Sequence, residues 1–168
     1  MTSAERRSAI ESCLRQATTP VSATALANEF HVSRQVIVGD VALLRAGGLD
    51  VQATPRGYVL GAEGTGVAGV LACVHNREDM ERELTAIVDN GGEVVDVIVE
   101  HAVYGQLTGQ LRLRSRHDVA QFMGKAAHAA PLSALTDGIH LHTVRCPDEE
   151  TLQRVTEVLK QEGFLLDE

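Results

Sequence analysis

The sequence predicts an α+β protein built in two parts, and three observations carry that expectation. Over the first sixty residues the apolar spacing is helical and closes in a short hairpin pattern. From Val67 onward, strand and helix patterns follow in the order β-α-β-β-α-β, with one further helix. Charge is also divided unequally. Residues 1–66 hold six Arg and six Asp or Glu, whereas the rest holds nine basic and seventeen acidic residues, so the net charge of −8 belongs to the second part. That asymmetry suggests two domains with different partners, expected over 1–62 and 67–168.

The 168 residues are 44% hydrophobic and 23% charged, the balance of a soluble globular protein. No apolar run reaches the roughly 18 residues needed to cross a bilayer, and the N-terminus is charged within seven residues. A cytoplasmic protein is expected. Cys13, Cys73 and Cys146 are scattered without CxxC spacing, which fits reduced core residues better than disulfides or a zinc-thiolate site. Aromatics make up only 3%, so the core must come from Leu, Val, Ile and Ala.

Ala4 to Gln16 has a helical pattern with Ile10 and Leu14 on one face, stopped at Thr18-Thr19-Pro20. Ser22 is an N-cap for a helix from Ala23 to Phe30, and Ser33 caps another running to Arg45. In that third helix Ile37, Val41 and Leu44 form the inward stripe, leaving Arg34, Gln35 and Val38 on the other side. Helix, tight turn, then a helix opening with Ser-Arg-Gln is the helix-turn-helix arrangement, whose second helix enters the major groove. Arg and Gln also pair bidentately with G and A. Leu49 to Leu60 reads as a hairpin turning at Thr54-Pro55-Arg56-Gly57, which makes a wing with Arg56 placed to reach phosphate or the minor groove. Ser33, Arg34, Gln35, Val38 and Arg56 are therefore the candidate DNA-binding residues. The plain alternative is a three-helix fold with surface arginines. Gly39, in mid-helix, has no local explanation, since Gly costs about 1 kcal/mol there against Ala.

Three glycines in six residues make Gly61 to Gly66 a flexible linker. Val67 to Val74 is an apolar strand ending at His75, and Asn76 caps a helix from Arg77 to Asn90 with Met80, Leu84, Ile87 and Val88 inward. Glu83 falls beside that stripe, at the border of core and solvent, where a carboxylate normally reaches water. Glu93 to Glu100 is the next strand, followed by His101. Gln106 to Arg114 alternates Leu107, Leu111 and Leu113 with Gln110, Arg112 and Arg114. Ser115 and Asp118 form a capping box for a helix bearing Val119, Phe122, Met123 and Ala126. Ile139 to Arg145 alternates again after Asp137-Gly138. A last helix from Asp148 to Glu162 packs Leu152, Val155 and Leu159, and Phe164-Leu165-Leu166 is a short terminal strand. This order is that of a two-layer split βαβ domain with helices on one face of an antiparallel sheet.

His140 and His142 project from one strand face, about 7 Å apart at Cα by strand rise. They are either two polar positions on a solvated face or two arms of a chelate. The first and fourth strands of the second domain lie close in such folds, so His75 can join them, with Glu83 above. Three imidazoles and a carboxylate suit Zn²⁺, Ni²⁺ or Fe²⁺ rather than Mg²⁺ or Ca²⁺. On position alone His101 either lines a ligand pocket or caps a strand. His31, His117 and His128 read as surface residues.

Four stretches carry a family resemblance: Val32-Ser-Arg-Gln-Val-Ile-Val38, Ala53-Thr-Pro-Arg-Gly-Tyr58, His101 with Val103-Tyr-Gly105, and Pro131 through His142. With them the chain resembles the niacin-responsive transcriptional repressors, a winged helix-turn-helix joined to a three-histidine (3H) domain. The resemblance implies that His75, Glu83, His140 and His142 are metal ligands and that nicotinic acid is the co-repressor. The effector-binding candidates are His101, on its position, and Tyr104. It also implies a homodimer on a palindromic operator, controlling genes for NAD biosynthesis or niacin uptake. The chain departs from the family pattern at Ala102, where Pro is usual, and at Gly39, which removes a potential base contact. The expectation is a repressor and not an enzyme. The alternatives are a direct metal sensor and a metal-dependent hydrolase, the latter weakened because Glu83 is spent as a ligand and no second general base is evident.

Overall fold

The computed structural model describes residues 1–61 and 66–166. The linker expected at Gly61 to Gly66 falls largely outside them. The chain forms two units, Met1–Glu63 and Gly64–Glu168.

Three helices open the first unit: α1 (Ser3–Gln16), α2 (Ala23–Glu29) and α3 (Arg34–Ala46). Each starts on a side-chain cap. Thr2 and Glu5 form a reciprocal capping box on α1, while the Ser22 and Ser33 hydroxyls accept from Ala25 N and Val36 N. Ile10, Leu14, Leu26, Ile37 and Val41 fill the core, with Leu44 packed against it. The hairpin expected at Leu49 to Leu60 forms as β1 (Val51–Thr54) and β2 (Gly57–Leu60), antiparallel. It is tied back to the helices where Val21 pairs with Tyr58. Gly57 needs its missing side chain: its φ is +142° and an added Cβ would stand 2.5 Å from the Val21 carbonyl. Asp40, buried on α3, accepts from Arg6 Nε of α1 at 2.6 Å, with Arg7 at 3.6 Å.

The second unit places β3 (Val67–Val74), α4 (Met80–Asp89), β4 (Glu93–His101), β5 (Gly105–Leu113), α5 (Arg116–Ala126), β6 (Ile139–Cys146) and α6 (Glu149–Gln161). Its sheet has the order β3-β6-β4-β5, with all neighbours antiparallel. The α-connected strands β3 and β4 are thus parallel to one another and split by β6. The first and last strands, expected to be near each other, are direct neighbours. Met80, Leu84, Ile87, Val119, Val155 and Leu159 of the three helices share one core with Val94, Leu111, Leu113 and Val144 of the sheet.

Several local expectations need correction. The segment after Asn76 begins as a 3-10 turn, Arg77–Asp79, and becomes α-helical only at Met80. Alternation fails in β5 because Val95 faces both Leu111 and Arg112. This bulge turns Arg112 to φ +53° and buries it within 3.7 Å of Glu93. Ser115 caps α5, but the Asp118 carboxylate accepts from Arg114 N rather than from Ser115 N, so the capping box is displaced by one residue. Phe164 to Leu166 makes a single bridge, Leu165 to Cys73, rather than a strand.

Candidate functional site

The histidine strand occupies an inner place in the sheet, and its register decides the site. His140 pairs with Cys73 and His142 with Leu71, while the His75 amide donates to the Gly138 carbonyl. His140 and His142 are each 3% exposed, which rules out a solvated strand face. Asp137 in the left-handed region at φ +52°, followed by Gly138 at +91°, starts the strand in this register. Gly138 also lies against His75, whose carbonyl oxygen an added Cβ would meet at 2.2 Å.

Glu83 hangs from α4 onto these rings and is 0% exposed. The expectation that it reaches water is wrong, because three imidazoles meet its carboxylate. His75 Nε2 stands 2.5 Å from Oε2, His140 Nε2 3.0 Å from Oε1, and His142 Nε2 3.3 Å from Oε2. His140 lies edge-on to both His75 and His142, with centroids 4.8 Å apart in each pair.

The far side of each ring is equally specific. Nδ1 of His75 lies 2.6 Å from the Asn76 carbonyl, that of His140 2.8 Å from Gly138 O, and that of His142 2.7 Å from Asp96 O. A carbonyl only accepts, so every Nδ1 must carry the proton. Every Nε2 is then left to face an acceptor carboxylate with either a second proton or a lone pair. Burial is the strongest influence on His75 and His142 and opposes their charging. The Glu83 carboxylate outweighs it, holding both above the ordinary histidine value. Burial likewise pushes Glu83 upward, yet hydrogen bonds from His140, His142 and His75 hold it far below the usual carboxylate range.

This donor set fits a divalent transition metal. Carbonyl-anchored Nδ1–H groups that aim Nε2 inward are the usual support of metal-bound histidines. Ligand atoms about 2.1 Å from a shared ion stand roughly 3.0–3.4 Å from one another, the range of the His140 and His142 distances to Glu83. From the sequence Cys73 reads as a reduced core residue rather than a metal ligand, yet its thiol joins Glu83 and His140 in one buried group of possible donors. Burial and the nearby Glu83 push that thiol up.

His101 Nδ1 accepts from Val103 N and Tyr104 N, so the ring caps the β4–β5 turn. Tyr104 is 73% exposed, its ring centroid 5.1 Å from that of His101. Among the described residues, no hydrogen bond or ring contact joins either of them to the three-histidine group. His31, His117 and His128 are exposed, as expected. On α3 Arg34 and Gln35 are exposed, whereas Val38 is half-buried. Ser33 spends its hydroxyl on the cap, and Arg56 is half-buried in the hairpin turn. Of the other arginines in this unit, Arg6 and Arg7 hold Asp40, Arg15 pairs with Glu11, and Arg45 donates to the Val51 carbonyl.

A helix-turn-helix unit with an exposed first turn on its third helix, followed by a unit holding a three-histidine group, defines a DNA-binding regulator. Comparisons with known proteins agree: residues 6–59 match the HTH domain and residues 68–168 the 3H domain. The chain is 46% identical over 166 residues to the probable transcription repressor NiaR of Thermotoga maritima, covering 98% of this chain and 95% of that one. It is 39% identical over 169 residues to the transcription repressor NadR of Bacillus subtilis, covering 97% and 94%. The chain belongs to the 3H-domain family of helix-turn-helix transcription repressors, and it is not an enzyme. No helix among the described residues is long and apolar enough to cross a membrane.

Proposed function

We propose that this repressor is a cytoplasmic homodimer whose second unit, 67–168, senses nicotinic acid at a metal held by His75, Glu83, His140 and His142. The first unit, 1–62, binds operator DNA and controls genes for NAD biosynthesis or niacin uptake. One observation carries the sensing half: three buried Nε2 atoms, each backed by a carbonyl on Nδ1, converge on a single carboxylate. Bound there, Ni²⁺, Zn²⁺ or Fe²⁺ supplies an open Lewis-acid position for the effector's carboxylate or ring nitrogen.

The protein's own groups do the rest. The carbonyls of Asn76, Gly138 and Asp96 hold the rings in the tautomer that leaves Nε2 available. Asp96 fixes its part of β6 a second time, accepting from Thr143 N at 3.0 Å. At the DNA, Arg34 and Gln35 read base edges from the start of α3, with Ser33 and Val38 at their sides and Arg56 at the backbone or minor groove. A two-fold dimer would set its α3 helices about 34 Å apart on successive major grooves. His101 and Tyr104 are the candidates for contact with the effector outside the metal.

The test is fluorescence anisotropy of the metal-loaded protein on its own upstream DNA, with and without nicotinic acid. Tightening by nicotinic acid that disappears in His140→Ala/His142→Ala is the expected result. Affinity that follows metal but ignores nicotinic acid would make the protein a direct metal sensor.

A further inference from the structure

The floor of the three-histidine group is a thiol. Cys73 is fully buried and is paired with His140 across the β3–β6 ladder. Directly paired residues of an antiparallel ladder point to the same face, so Cys73 and His140 both look toward α4 and Glu83. His75, two residues on and just past the end of β3, brings its ring to the same Glu83 carboxylate. The Cys73 sulfur, a Glu83 carboxylate oxygen and a His140 ring nitrogen all lie within 4.8 Å of one another. Among the described residues, the one polar contact of the Cys73 thiol outside this group is a long one to the Leu71 carbonyl, at 3.9 Å. Its backbone is held from both sides, by His140 of β6 and by the bridge to Leu165.

We propose that Cys73 is a further ligand of the metal, its thiolate joining Glu83 and the three histidines. The inference rests on the metal reading above. A sulfur and a nitrogen on one ion stand roughly 3.5 Å apart at a tetrahedral angle and about 4.3 Å apart when opposite each other. Against the 4.8 Å limit, up to about half an ångström must close if the two stand opposite each other, and up to about 1.3 Å at the tetrahedral angle. When the metal–sulfur bond forms, the thiol proton leaves to solvent. The added thiolate makes the site softer, favouring Zn²⁺, Ni²⁺ or Co²⁺ over Mn²⁺ or Mg²⁺. Five protein donors also leave one position of a six-coordinate ion, so an effector would attach there through a single atom.

Cobalt(II) reports on this directly. The full chain, stripped with chelator and reloaded with Co²⁺ without oxygen, is expected to show visible d–d bands together with a near-ultraviolet sulfur-to-cobalt charge-transfer band. Cys73→Ser should keep the visible bands and lose the near-ultraviolet one, while Cys13→Ser and Cys146→Ser keep both. Visible bands without a charge-transfer band in the native protein would overturn the thiolate ligand and leave the histidine site standing. Survival of the charge-transfer band in Cys73→Ser would overturn the thiolate ligand in the same way. Absence of both sets of bands would overturn the thiolate ligand and the metal reading together.

Discussion

The two units put their polar atoms in opposite places. In the first, the core is aliphatic and Asp40 is the only buried charged residue among those described, already matched by Arg6 and Arg7. Its candidate recognition side chains, Arg34 and Gln35, stand in water on a scaffold that does not depend on them. In the second, Glu83, His140 and His142 are withdrawn from water into the same layer as the core, beside Leu84 and Val144. Reading a polymer needs solvated side chains on a rigid support. Seizing a small ion needs donors stripped of water beforehand, and such donors burden the fold until they are satisfied. Stability and function should therefore separate in the first unit and be inseparable in the second.

The sharpest way to break that contrast is Glu83→Ala. Removing the carboxylate leaves three buried imidazoles without their counter-charge, and urea unfolding of the chelator-treated protein should show a loss of about 3–5 kcal/mol. A loss below about 1 kcal/mol would mean that the buried group does not hold the second unit together.

Next in size is a pH effect that differs with metal. His75 and His142 are raised in the folded state, so their contribution is complete below about 6.5 and drains away as pH climbs through the raised values. Glu83 is lowered, so its contribution is present above the ordinary carboxylate range and is lost only in strong acid. The melting temperature of chelator-treated protein should thus fall from mildly acidic to alkaline pH, by about 4–8 °C for each 1 kcal/mol lost. With excess metal the trend should reverse, because ligation needs imidazoles without the second proton. Parallel pH profiles with and without metal would defeat the proposed site.

Arg34→Ala tests the other half. Operator affinity should drop by about 1–3 kcal/mol in anisotropy titrations while the melting temperature stays put. A matching loss of stability would show that the first unit, too, uses its recognition residues structurally. Smallest is Gly39→Ala. An added Cβ there meets nothing within 4 Å, so the helix should gain up to about 1 kcal/mol in urea unfolding. Unchanged operator affinity in the same variant would place Gly39 away from DNA.

Much of this was legible in the chain, because caps and apolar spacing are local signals. Ser22 and Ser33 mark the starts of α2 and α3 to the residue, and His-x-His after Asp137-Gly138 marks β6. What escaped depends on partners distant in sequence. Glu83 looks like a border residue on its own helix, and only the rings of His75 after β3 and of His140 and His142 on β6 make it a buried one. Cys73 looks like an ordinary core thiol until the register sets it opposite His140. Arg112 fits an alternating pattern in the sequence of β5, and the bulge opposite Val95 that breaks that pattern is a property of the paired strands rather than of β5 alone.

The place of β6 in the sheet also bears on how the protein is made. Among the described strands it is the last in chain order, yet it inserts between two earlier ones, β3 and β4. β4 can pair with β5 beforehand, but β3 must wait for its ladder partner until residue 146 has emerged, and closing so long a loop is slow. At the proposed site no ion could be caged before that strand is in place, because His140 and His142 both lie on it. A metal held at the proposed site would therefore wait for β6 to enter the sheet.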